Sequence, residues 1–206
     1  MSDQVLFFLF LYITIVISAV VHECAHGATA YYLGDSTAKD AGRLSLNPLV
    51  HMDLFGTIIL PLLLLFTTGF FIGYAKPVPY NPNNLRDKRY GSLKVALAGP
   101  MSNLFIALVF GLFLRFFSGI ILANDIVPPV LLMFVTYIAY INVWLFLFNM
   151  IPFPPLDGSK VLYDLFPRLG ARLMNLGASG IILALLVAFF ILPSIMGLIF
   201  RVIVGS

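Results

Sequence analysis

Two histidines and one glutamate carry the most specific chemistry in this chain. They fall in Val21-His22-Glu23-Cys24-Ala25-His26-Gly27, an H-E-x-x-H pattern. Residues i and i+4 share one face of a helix, so both imidazoles can reach a single zinc ion. Glu23 is the chain's sole glutamate. Beside the first histidine it can take a proton from a water that the ion activates.

A catalytic zinc takes three protein ligands and leaves one position open. With no second Glu, a two-His-one-Glu set is impossible. Thr29 and Tyr32 stand where the extended H-E-x-x-H-x-x-G-x-x-H pattern needs Gly and His. The remaining candidates are His51 and the aspartates, and Asp157 is the best of these. Pro152, Pro154 and Pro155 break the helix before it, and Gly158 follows. Irregular backbone at membrane depth is tolerated only where it is buried in protein or lines a polar cavity. An aspartate there is costly unless it binds something.

The elements that must position these groups are apolar. The 206 residues are 61% hydrophobic and 10% charged, against about 25% charged in a soluble domain. An all-α polytopic membrane protein is expected, as one transmembrane domain over residues 1–206. A net charge of +3, with no basic cluster alternating with aromatics, leaves no nucleic-acid footprint. The lone Cys24 cannot form an internal disulfide. Val5 to Leu33 lacks a basic n-region and carries the zinc motif, so it reads as a retained helix.

Further along, Arg43-Leu44-Ser45-Leu46-Asn47 alternates polar and apolar residues, which predicts a short strand or hairpin. Leu54 to Ile72 is an apolar run interrupted by Pro61. A Pro/Asn-rich basic loop follows from Gly73 to Arg89. Spans are predicted over Leu93–Phe117, Val127–Phe148 and Leu173–Val204, the last kinked at Pro193. With Val5–Leu33 that makes about four full spans.

Charge decides how these spans are threaded. If 54–72 is re-entrant, the zinc motif and Asp157 reach the same side. Ten of the twelve Lys and Arg then lie on that side, and only Arg115 and Arg201 lie opposite. If 54–72 spans, the motifs face opposite surfaces about 30 Å apart, and the split worsens to eight against four. The re-entrant arrangement is expected. The positive-inside rule then places the active site, with the strand, near the cytoplasmic face of a cell membrane.

These motifs together resemble the site-2 proteases, intramembrane zinc metalloproteases, in their compact form without a PDZ domain. The resemblance rests on His22–His26, on Ala98-Gly99-Pro100 with Asn103, and on Asn149 through Gly158. Gly42-Arg43-Leu44-Ser45-Leu46-Asn47-Pro48 and Gly73-Tyr74-Ala75-Lys76-Pro77-Val78-Pro79 add to it. It implies that His22, His26 and Asp157 bind one zinc per chain and that Glu23 is the catalytic base. It also implies that Asn149 holds substrate or the oxyanion, and that peptide bonds are cut within membrane-spanning substrates. An unwound substrate helix needs new backbone partners, which lipid cannot supply. Arg43, Leu44, Ser45, Leu46 and Asn47 are expected to supply them by strand addition.

Two rivals come from other classes. A silent adaptor or chaperone on the same fold would be expected to lack the base, and Glu23 is intact. A metal transporter would more often show repeated halves, and the sequence has no repeat. His51 and Asp53 fit a second metal site, a gate or a plain cap before Leu54.

Overall fold

The computed structural model describes residues 3–59, 61, 63 and 73–205. Among the described residues the secondary structure is helical, with no strand. The chain divides into two compact units, residues 1–91 and 92–206.

In the first unit, α1 runs Asp3–Tyr32. Thirty residues at about 1.5 Å each give roughly 45 Å, more than a bilayer core requires. Thr14, Ser18, His22, His26 and Ala30 are all buried. They recur every fourth residue, so they line one stripe of the helix. Val5, Leu6, Phe8, Leu9, Ile13 and Ile17 face outward, as suits contact with lipid. The helix stops where Gly34 adopts a φ of +108°. The Gly34 N–H donates to the Tyr31 carbonyl and the Asp35 N–H to the Ala30 carbonyl. That pair of bonds is a Schellman ending, which favours Gly at this position.

Beyond α1 come a single turn, α2 (Thr37–Asp40), and short 3-10 turns at Pro48–Val50 and Pro82–Asn84. Asn47 and Asn81 cap those two 3-10 turns, accepting from Leu49 N–H and Asn83 N–H. Gly27 is tightly enclosed. A Cβ there would sit 3.0 Å from Val78 Cγ1 and 3.2 Å from Ala38 Cβ.

The expected strand at Arg43–Asn47 is not formed. The segment is irregular, and its backbone is held by other means. Arg43 N–H donates to the Ala38 carbonyl, and the Ser45 carbonyl accepts from Cys24 and His51 side chains. Polar–apolar alternation makes a strand only when a neighbouring strand supplies a ladder, and none among the described residues does so. As for the re-entrant segment, Leu54–Ile59 forms a π-helical turn. Residues 60, 62 and 64–72 lie outside the described residues, and with them most of that expectation.

In the second unit, α3 (Gly91–Ala123, beginning in the first unit's last residue) contains Pro100, and α4 spans Pro129–Asn149. Buried Asn103 donates its amide to Asn142 Oδ1 at 3.0 Å, joining α3 to α4. Two short helices follow, α5 (Asp157–Leu165) and α6 (Pro167–Met174). The expected last span, Leu173–Val204, is not continuous. It divides into α7 (Ala178–Phe190) and α8 (Leu192–Val204). The break at Ile191 lies two residues before Pro193, which cannot donate an intrahelical bond. Thirteen residues cover only about 20 Å. Two apolar clusters pack these helices: Ala107, Val143, Met196 and Ile203, and Ile151, Ala184, Ala188 and Leu192.

Among the described residues three helices, α1, α3 and α4, are long and apolar enough to cross a membrane. The number rises to four if α6 and α7, bent by 102° at their junction, count as one span.

Candidate metal centre

The first unit carries the histidine pair. His22 and His26 are both buried, and their Nε2 atoms lie 3.0 Å apart. The rings meet edge to face, with centroids 4.7 Å apart. Two imidazole nitrogens on a tetrahedral zinc, each about 2.0–2.1 Å from the ion, stand roughly 3.3 Å apart. The pair therefore fits a shared ion with only a small spread.

Glu23 points to a backbone amide. Its Oε2 accepts the Val78 N–H at 2.7 Å, which leaves Oε1 for other chemistry. Val78 lies between Pro77 and Pro79, so it is the one amide donor of that tripeptide.

Cys24, on the same helix turn as Glu23, meets Ser45 and His51 of the segment that follows the helix. The Ser45 carbonyl accepts from Cys24 Sγ at 2.8 Å and from His51 Nε2 at 2.7 Å. A carbonyl can only accept, so the proton of His51 sits on Nε2. His51 is 1% exposed, and its Nδ1 has no hydrogen-bond partner. Cys24 thus ties the 43–47 segment to the zinc-motif helix, and His51 braces the same carbonyl.

Asp35 is a second fixed carboxylate. It is fully buried and accepts from Thr37 N–H and Oγ1, from Asn81 N–H at 2.6 Å and from Asn84 Nδ2. Burial pushes its pKa up, but those four hydrogen bonds outweigh it and the pKa lies below the usual carboxylate value.

Asp157 belongs to the second unit, where it opens α5 and is buried. Its Oδ1 accepts from Lys160 Nζ at 3.0 Å, one turn along. The first turn of α5 lies against bare backbone. A Cβ on Gly158 would come within 2.3 Å of the Met150 carbonyl oxygen, so only Gly fits after Asp157. Asn149, at the end of α4, donates its side-chain amide to the Leu145 carbonyl at 2.9 Å. One of its two amide hydrogens is therefore already used.

Sequence reasoning named His22, Glu23, His26 and Asp157 as candidates and did not point to the Val78 amide, the Asp35 cluster or Lys160. The i, i+3 spacing of Asp157 and Lys160 was the one available signal for the last. Backbone amides reached across 55 residues leave no trace in periodicity.

Comparison with known proteins agrees with this chemistry. The model for peptidase family M50 matches residues 118–193. A Bacillus subtilis protein, "Putative zinc metalloprotease YwhC", is 40% identical over 165 residues, 77% of this chain and 69% of that protein. "Putative zinc metalloprotease Rip2" of Mycolicibacterium smegmatis is 31% identical over 146 residues, 70% of this chain and 52% of that protein. "Putative zinc metalloprotease MJ0611" of Methanocaldococcus jannaschii is 40% identical over 70 residues, 34% of this chain and 32% of that protein. No solved structure matches the chain.

Proposed function

Because the chain belongs to peptidase family M50 and is a membrane zinc metalloendopeptidase, we propose that it cuts peptide bonds within or near transmembrane segments of other membrane proteins. The observation that carries this reading is the convergence of His22 and His26 Nε2 on an apolar, span-length helix. A hydrolytic centre built there meets substrates that share the bilayer.

His22, His26 and Asp157 offer two imidazoles and a carboxylate, a donor set compatible with one catalytic zinc per chain. Those three side chains would hold the ion, which when bound would depress the pKa of a coordinated water toward neutral and polarise the scissile carbonyl. Glu23 takes the water proton on its free oxygen and returns it to the leaving amine. Asn149 donates its second amide hydrogen to the developing oxyanion. Arg43, Leu44, Ser45, Leu46 and Asn47 contact the unwound substrate. Leu46 is 69% exposed and open to such contact, while the Ser45 carbonyl is already engaged. The whole chain works as one domain in a cell membrane, with the site toward the cytoplasm, as the Lys and Arg distribution favours.

The test uses purified protein in liposomes with a helical reporter. Cleavage that a chelator stops, and that Glu23→Gln lowers by about 10²- to 10⁴-fold, is expected for loss of a general base. Zinc binding without cleavage would instead support the silent adaptor, and zinc flux would support the transporter. Pro substitutions at Leu44 and Leu46 should impair cleavage. Unchanged rates would remove that segment from the substrate path.

A further inference from the structure

The Lys76–Asn81 segment is unusually well held for a loop. The N–H groups of Tyr74, Lys76 and Val78 donate in turn to the Gly56 carbonyl at 3.0 Å, the His51 carbonyl at 2.8 Å and Glu23 Oε2 at 2.7 Å. Every second amide is therefore used, as in an extended chain bonded along one edge. Pro77 and Pro79 have no N–H, so that stretch gives the opposite edge no donor. Arg43 Nη2 holds the Lys76 carbonyl at 3.1 Å. Three residues past Val78, the Asn81 N–H donates to Asp35 Oδ2. Val78 itself is buried against Gly27, one residue after His26.

We propose that this strap positions the catalytic base: the Val78 N–H holds Glu23, and Asp35 anchors the strap that presents it. The proposal rests on Glu23 being the base of a zinc peptidase. A glutamate has three side-chain torsions and would otherwise sample many rotamers. A charge-assisted bond on Oε2 fixes the carboxylate plane and leaves Oε1 to receive the proton. Asp35 sits just past the end of the same helix that carries Glu23, so the strap is pinned to that helix segment at two points. Val78 and Asp35 are positioning residues, since neither meets the substrate in this scheme.

The experiment removes one amide hydrogen and little else. Val78 is replaced by its α-hydroxy analogue, which turns the amide into an ester, with valine inserted by the same suppression method as control. Full-length protein in liposomes is assayed on the helical reporter, and bound zinc is measured by elemental analysis. The expected result is a kcat lowered about 10- to 100-fold, the worth of one hydrogen bond to a charged group. KM should stay within about threefold, and zinc content should match the control. Asp35→Ala should move kcat in the same direction, and Asp35→Asn, whose single oxygen can accept on only one side of the carboxylate's position, should fall between Asp35→Ala and wild type.

An unchanged or raised kcat in the ester variant overturns the proposal, the raised case marking the strap as a restraint that must leave. Loss of zinc together with activity also overturns it, as does a change confined to KM. If the control protein does not cut, or Glu23→Gln cuts equally well, the protease reading has failed and takes this proposal with it. An inactive ester variant beside an active control tests the strap alone.

Discussion

His51 Nε2 donates to the Ser45 carbonyl at 2.7 Å, and the same carbonyl takes the Cys24 thiol at 2.8 Å. That carbonyl is thereby a joint, which Cys24 ties to the zinc-motif helix and the His51 imidazole braces from the following turn. Replacing His51 with Leu leaves a carbonyl short of its stronger donor, which costs about 1–3 kcal/mol in a buried site. His51→Leu should lower the thermal midpoint of the detergent-solubilised protein. His51→Gln, whose amide reaches the same carbonyl, should restore much of it. Equal midpoints for His51→Leu and wild type would show that the bond contributes nothing.

Removal of a metal ligand should be read in zinc content before activity. His22→Ala, His26→Ala and Asp157→Ala are each expected to lose bound zinc at concentrations where wild type retains it. Anything bound only to the folded state raises its apparent stability. A chelator should therefore lower the melting temperature of wild type and leave the three variants unmoved. Full zinc occupancy in Asp157→Ala would exclude it as the third ligand.

Two carboxylates should answer acid in opposite directions. The pKa of Asp35 is depressed in the fold. Its contribution is fully present above the unfolded value, about 3.9, and is lost as pH falls through the folded one. Burial pushes the pKa of Asp164 up, and its Oδ2 has no hydrogen-bond partner. Its ionisation opposes folding, a penalty that grows as pH rises through the unfolded value and is complete above the folded one. Asp164→Asn should therefore stabilise the protein at pH 7, and Asp35→Asn should destabilise it there. Denaturation curves at pH 7, at pH 4 and well below pH 4 check both signs, since the Asp164 effect fades by pH 4 and the Asp35 effect only at lower pH.

Gly158→Ala should be among the most damaging single-methyl changes. The added Cβ meets main-chain carbonyls of Met150 and Ile151 at 2.3 and 2.6 Å, and backbone cannot rotate away as a side chain can. Overpacking of this kind costs about 1–3 kcal/mol or more. It should also displace Asp157 and weaken zinc retention. Wild-type melting and zinc content in this variant would contradict the tight seat inferred for α5.

What could be read in the sequence was what helical geometry enforces locally. His22 and His26 must share a face at i, i+4, and the buried stripe from Thr14 to Ala30 continues that spacing in both directions. Pro193 signalled a kink within one span, and the helix instead parts at Ile191. Arg43–Asn47 misled because alternation reports which side chains are apolar, while a strand also needs a partner with free amides. The Val78 and Asn81 amides that hold Glu23 and Asp35 were out of reach for a related reason. They are backbone donors on a distant loop, and a backbone N–H looks the same at every residue except proline.

The missing Cβ of Gly27 bears on how activity is judged from sequence. A methyl there pushes against Val78 and Ala38, and so against the strap whose amide holds Glu23. A relative with every letter of H-E-x-x-H intact but a bulkier residue in the next place could still bind its metal and hydrolyse poorly. Sorting working enzymes from silent ones by the five-letter motif would then miscount, and the sixth position is where to look.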